Sequence, residues 1–333
     1  MNKNKLRIGI VGCGALTRIF YLPVFKKLSL MPDAVFDPYA GDIADLAKNY
    51  NIRSIASSLE DFGERIDMAI VASPNFLHAP QTKYLLEKGK HVLVEKPIAT
   101  SENDVREMID ACNKSRVVLQ PAMMRRFWKI NKAIKKMLEE EVLGTLQTVS
   151  MREGGVLNWP VQSPALFDPK QSLGGVFIDT GSHTLDLLCW WVNDNNFSVE
   201  YEDDNHGGVE ADCKLAVEFI ETGIKAEVTL SRVRNMPNEF VLKGSRGWIK
   251  LKPYGNIFET SDRSIGKYVH NIYSTAELKQ QTFDDLFTEQ VQSWLKSAKN
   301  QTSPVIDAGS VQPSIRMIEQ AYYQRKQLVY EWE

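Results

Sequence analysis

Residues 8–17 read Ile-Gly-Ile-Val-Gly-Cys-Gly-Ala-Leu-Thr: a short apolar run, then a glycine turn, then helix-forming sequence. Gly12 allows the tight turn. Gly14 lets the backbone approach a pyrophosphate, which then rests on a helix N-terminus opening at Ala15 and Leu16. Thr17 holds the third fingerprint position, so Gly-x-Gly-x-x-Gly is not met in full. The place of the turn, between the first strand and the first helix, strengthens the reading. Asp37 closes the next strand, about 20 residues on, where a carboxylate accepts hydrogen bonds from an adenosine ribose. It would repel a 2′-phosphate, and no arginine follows directly, so NAD is expected and NADP is disfavoured. The plainer alternative is a structural βα turn, with Asp37 capping a turn at Pro38.

Other residues bear on a substrate. Arg125 and Arg126, in Met-Met-Arg-Arg-Phe-Trp at 123–128, offer guanidinium groups to a carboxylate, a phosphate or sugar hydroxyls. Their structural alternative is interdomain ion pairing. The segment 153–169 carries Asn158, Trp159 and Gln162, an amide and indole set suited to a sugar ring. Trp159 would serve equally as a core or dimer-interface anchor.

Positioning such groups takes two domains, the expectation for 333 residues. The chain is 43% hydrophobic and 25% charged, an ordinary globular balance that excludes disorder as the main theme. Its net charge of −2, from 40 basic and 42 acidic residues, argues against a nucleic-acid binder. Cys13, Cys112, Cys189 and Cys213 form neither a disulfide framework nor a zinc pattern, so reduced thiols in the cytoplasm are expected and no metal. Lys3, Lys5 and Arg7 precede an apolar run that glycines interrupt, which reads as a first strand rather than an export signal. No stretch reaches about 18 apolar residues, so no membrane span is expected.

In the first third, strand-like runs at 7–11, 34–36, 68–72, 91–94 and 117–121 alternate with helical stretches at 15–28, 43–50, 78–88 and 102–114. That alternation predicts an α/β domain with a parallel, doubly wound sheet. After residue 122 the pattern changes. A helix at 131–141 and a strand at 145–152 are followed by a helix at 181–192. Strands at 213–221, 224–232, 239–243 and 247–252 come next, with turn signals at 221–223 and 244–247. Helices at 283–300 and 310–326 close the chain. The second domain, 123–333, is therefore expected to be α+β with a large, mostly antiparallel open sheet, and 1–122 to bind the dinucleotide.

Further motifs carry a family resemblance. Ser73-Pro74-Asn75-Phe76-Leu77-His78 precedes Gly89-Lys90-His91-Val92-Leu93-Val94-Glu95-Lys96-Pro97. Gly174-Gly175 and Asp179-Thr180-Gly181-Ser182-His183-Thr184-Leu185-Asp186 follow. In this order the chain resembles the Gfo/Idh/MocA oxidoreductases, the relatives of glucose–fructose oxidoreductase and inositol 2-dehydrogenase, over nearly its whole length. The resemblance implies an N-terminal Rossmann domain and a C-terminal sheet domain with the catalytic cleft between them. It implies a homodimer or homotetramer built through the sheet face. It also assigns roles: the motif lysine matches Lys96, and the aspartate and histidine of the second domain match Asp179 and His183.

Those roles make chemical sense. Oxidising a secondary alcohol removes a hydroxyl proton while a hydride leaves the same carbon. A histidine, with an unperturbed pKa of about 6.5, suits the base. His183 takes that role, Asp179 one helical turn earlier orients it or binds substrate, and Lys96 stabilises the alkoxide. Ser73 and Asn75 in a strand-end loop, with Glu95 and Lys96, are expected to contact the cofactor. Each residue has a plainer role as well: His183 a packed helix residue, Asp179 an N-cap, Lys96 a loop lysine. The expected activity is an NAD-dependent dehydrogenase of a sugar, cyclitol, or phospho- or nucleotide-sugar. Two alternatives are an NAD-retaining glycosidase working by transient oxidation and a non-catalytic dinucleotide-sensing regulator.

Overall fold

The computed structural model describes residues 6–158, 160, 164–205, 208–262, 266–271 and 280–330. Five short strands, β1 (Ile8–Val11), β2 (Ala34–Phe36), β3 (Met68–Val71), β4 (His91–Val94) and β5 (Leu119–Pro121), form a wholly parallel sheet in the order β2-β1-β3-β4-β5. β1 and β3 are buried along their full length, because helices cover both faces of the sheet. The crossovers are α1 (Leu22–Lys27, continuing a π-turn at Thr17–Tyr21), α2 (Ile43–Asn49), α3 (Leu59–Arg65), α4 (Asn75–Glu87) and α5 (Glu102–Ser115). Gly89 ends the α4 connection at φ +72°, the left-handed turn its type predicts. α3 escapes a periodicity reading because seven residues, about two turns, carry little pattern. Ser58 caps it, and Phe62 fills the core beneath β1.

The second half adds α6 (Lys129–Glu139), β6 (Leu146–Gly154), α7 (Pro169–Ser172), α8 (Val176–Val192), β7 (Phe197–Asp203), β8 (Asp212–Phe219) and β9 (Lys225–Ser231). It continues through β10 (Glu239–Gly244), β11 (Gly247–Leu251), β12 (Ile257–Asp262), β13 (Gly266–Asn271), α9 (Phe283–Asn300), α10 (Gln312–Tyr323) and β14 (Lys326–Gln327). The sheet order is β13-β12-β11-β10-β6-β9-β8-β7-β14, antiparallel except where β6 meets β9 and β7 meets β14. The large, mostly antiparallel sheet expected from the sequence is present, and both turn signals join antiparallel neighbours.

Burial alternates along β8 from Cys213 onward: Cys213, Leu215, Val217 and Phe219 face inward, while Lys214, Ala216 and Glu218 face solvent. α8 and α10 cover the inner face. The outer face is open and polar, with Lys225 opposite Thr148 and Glu218. β7, β12 and β13 were not expected from the sequence. α8 begins at Val176, well ahead of the expected residue 181. Glycines at 174, 175 and 181 depress local helix propensity there, and tertiary contacts override it.

Candidate active site

The dinucleotide end is built by the β1 turn. Gly12 has φ +89°, and a Cβ there would collide with the carbonyl of Ala72 at the end of β3. At Gly14 a Cβ would meet nothing within 4 Å, so space lies open beside the helix N-terminus where a pyrophosphate would sit. Thr17 is fully buried, and its hydroxyl donates to the Gly12 carbonyl at 2.6 Å. The hydroxyl thus ties the turn where a glycine would only have left room.

Asp37 accepts from the Cys13 amide at 2.8 Å and from the Tyr39 amide at 2.9 Å, placing its carboxylate beside the glycine turn. Arg18 is held by Asp42 through two bonds of 2.7 and 2.8 Å. A groove of about 400 Å³ is lined by Gly12, Gly14, Ala15, Leu16, Asp37, Ser73 and Asn75, with Pro160, Leu166 and Ser172 of the second half across from them. Asn75 donates to the Ser172 carbonyl at 2.7 Å, tying α4 to α7. These residues fit a dinucleotide: a backbone cradle for phosphates at one end and an acceptor for ribose hydroxyls at the other.

His78 is buried, and its two ring nitrogens lie 2.7 Å from the carbonyls of Ser73 and Pro97. This packing residue therefore joins the groove loop to the loop bearing Lys96. Glu95 is placed differently from the sequence expectation. Its buried carboxylate meets the Tyr21 hydroxyl and the Lys96 amide, and it does not line the groove. Burial pushes the Glu95 carboxyl up, with Tyr21 and Lys96 opposing.

Lys96 follows β4 at its C-terminal end, where open α/β sheets bind ligands. Its Nζ donates to the Asp179 carbonyl at 3.0 Å and to the Asp179 carboxylate. Because α8 starts at Val176, Asp179 lies in its first turn and His183 one turn later on the same face. Asp179 engages Lys96, not the imidazole. Burial disfavours the Asp179 charge, but Lys96, with Arg232 and Arg125, outweighs it and holds the carboxyl below its ordinary value. Burial, then the charges of Arg125 and Lys96, push the His183 imidazole well below its ordinary pKa, so it is neutral. Its Nδ1 is enclosed without a partner among the described residues, which leaves Nε2 as the nitrogen available to a substrate hydroxyl.

The two arginines sit in buried ion pairs, but with partners inside the second domain and not across the domains as the structural alternative has it. Arg125 is bidentate to Glu153 at 2.8 and 3.0 Å, and its other contact is the Tyr254 hydroxyl and ring. Glu153 also accepts from Thr184, the neighbour of His183, so this pair braces the histidine's turn of α8. Arg126 grips Asp186 and Ser310, about two helical turns beyond Asp179 along the same stripe of α8. Asp186 is 1% exposed, so Asp186→Ala strands a buried guanidinium and should cost about 3–5 kcal/mol, read as a lowered urea midpoint. Asn158 is exposed, and Trp159 and Gln162 lie outside the described residues.

One positioning group has no sequence signal. Glu210 is fully buried and accepts from the amides of Gly175 at 2.7 Å and Phe177 at 3.1 Å, and from the Tyr322 hydroxyl at 2.8 Å. It caps α8 from another element and thereby sets where Asp179 stands. Among the described residues, no cluster of metal-ligating side chains occurs, and no helix is long and apolar enough to cross a membrane.

Fold and site together define a dinucleotide-binding Rossmann half joined to a second half built on a large mixed sheet. Residues 6–123 match the oxidoreductase family with an NAD-binding Rossmann fold, and residues 131–250 match the GFO/IDH/MocA C-terminal domain. The chain belongs to the Gfo/Idh/MocA family of oxidoreductases. It is 28% identical over 183 residues to the uncharacterized oxidoreductase YrbE of Bacillus subtilis, covering 54% of this chain and 51% of that protein. It is 30% identical over 199 residues to D-glucoside 3-dehydrogenase of Escherichia coli, covering 57% of this chain and 55% of that protein. The chain thus spans about half the length of these curated relatives. The crystal structure of aldose-aldose oxidoreductase from Caulobacter crescentus shares the fold, with a TM-score of 0.82 at 21% identity over 96% of this chain and 97% of that one.

Proposed function

We propose that this protein is an NAD-dependent dehydrogenase acting on a secondary hydroxyl of a sugar, cyclitol or derivatised sugar. One observation carries the reading: Lys96, on a loop that His78 ties to the dinucleotide groove, meets Asp179 of α8, one turn from a neutral His183. A relative named as a glucoside dehydrogenase supports the substrate class.

The nicotinamide, when bound, supplies the hydride acceptor. His183 Nε2 accepts the hydroxyl proton, which requires the neutral ring that its surroundings enforce. Lys96 places an ammonium where the alkoxide develops, and Asp179 aims that ammonium. Residues 1–122 form the cofactor domain and 123–333 the substrate domain. The open polar sheet face is the surface for a homodimer or homotetramer, and four free thiols fit a cytoplasmic home.

The test is absorbance at 340 nm with NAD, then NADP, across sugars, inositols, sugar phosphates and nucleotide sugars. NADH formation with one class is expected. Glycoside cleavage without net NADH would replace the reading with the cofactor-retaining alternative. Asp37 is the ground for NAD over NADP. Hydrogen bonds to a charged group are worth about 1.5–3 kcal/mol, so Asp37→Ala should weaken NADH binding about 10–100-fold in a fluorescence titration. An unchanged NADH affinity would remove that ground.

A further inference from the structure

Arg232 follows β9 directly. In that strand Ala226, Val228 and Leu230 face α8, and Arg232 is the next position of the same face. Leu230 already touches the helix, its Cδ1 standing 3.2 Å from where Gly181 would carry a Cβ. The Arg232 amide donates to the Ala211 carbonyl at 2.9 Å, and the adjacent Glu210 caps α8 at Gly175 and Phe177. Arg232 therefore stands at the level of the first turn of α8, where Asp179 lies, and its charge is one of those that hold the Asp179 carboxyl ionised. Its guanidinium lies 5.6 Å over the Phe167 ring, on the segment whose Leu166 and Ser172 line the dinucleotide groove.

Pairing the charges around the cleft leaves one over. Lys96 pairs with Asp179, Arg125 with Glu153, Arg126 with Asp186, and Arg325 with Asp203 and Glu210. His183 is neutral. Among the described residues no carboxylate lies within ion-pair distance of Arg232, whose side chain makes one long hydrogen bond, 3.5 Å to the Val209 carbonyl, besides its contact with the Phe167 ring. A half-buried guanidinium with no counter-ion is a fork for a planar or tetrahedral anion.

We propose that Arg232 is an anion subsite of the substrate cleft, and that the substrate is an acidic sugar carrying a carboxylate or a phosphate. This rests on the dehydrogenase reading for its place in a reaction, but its test reads binding separately from turnover. The NADH complex is titrated with matched sets of a neutral sugar, its uronic acid and its 6-phosphate: glucose, glucuronate and glucose 6-phosphate, and the same for galactose and mannose. In at least one set an acidic member should bind about tenfold or more tightly than its neutral parent. Arg232→Gln should erase that difference and Arg232→Lys should keep part of it. The affinity of the acidic member should fall with added salt in the unaltered protein, a readout that needs no variant to fold. The uronic acid and phosphate arms tell which anion is taken.

Equal binding of acidic and neutral members, no binding at millimolar concentration, or a preference that survives Arg232→Gln would each overturn the subsite. NADH formation from neutral sugars alone would overturn it and leave the dehydrogenase reading standing. Acid-selective binding lost in Arg232→Gln, without NADH formation from any sugar, would do the reverse.

Discussion

Lys96→Ala should lower kcat/KM by about 10²–10³-fold, the loss typical of removing one group that stabilises a developing oxyanion. NADH should still bind, because the groove from Gly12 to Asp37 does not depend on this side chain. The same substitution removes one of the two cations that disfavour the imidazolium of His183, so the histidine pKa should rise towards its ordinary value. Whatever activity remains should therefore fail at a higher pH than in the unaltered enzyme. Asp179 loses its principal counter-charge as well, and its carboxyl should rise in the same direction. Lys96→Arg should not restore the rate, since a planar fork does not reproduce a compact ammonium at one point. Steady-state kinetics at several pH values, beside an NADH titration, check all of this. Full activity in Lys96→Ala would sink the assignment.

His183→Asn should cost about 10²–10⁴-fold in kcat/KM, the usual contribution of a general base. Its pH signature is the sharper test. A base works only when unprotonated, so oxidation is lost as pH falls through the histidine's pKa. Burial and two neighbouring cations depress that pKa, which puts the acid limb of kcat/KM below the ordinary histidine value of about 6.5. Above that limb the profile should be flat with respect to His183. In His183→Asn the residual rate should lack this limb. A limb at or above the ordinary value, or one that survives the substitution, would mean that another group takes the proton.

Much of this arrangement is legible in local sequence. A glycine turn between an apolar run and a helix, with an acid closing the next strand, describes the groove that the structure holds between Gly12 and Asp37. Alternating runs predict the parallel sheet because a βα unit writes its period directly into the chain. Gly89 and Gly223 mark their turns because a positive φ selects glycine at each. The Lys96, Asp179 and His183 set was recognisable as motifs, though no local signal says which of them touch.

Tertiary structure decided the partners. Asp179 spacing suits an imidazole one turn away, yet its carboxylate is taken by a lysine from the other domain. The arginines after β5 look available for substrate until Glu153 and Asp186 close on them. Thr17 reads as a defect in the fingerprint, and the Gly12 carbonyl turns its hydroxyl into a tie. The start of α8 has no capping side chain of its own, because Glu210 reaches in from a distant loop and supplies the acceptor. By itself the sequence determined what local conformation and periodicity dictate: the turns, the strand and helix order, and the types of residue brought to the strand ends. Only the fold decided which charge meets which and what is left unpaired at Arg232, because each buried ion must find a partner through space and spacing along the chain does not encode that choice.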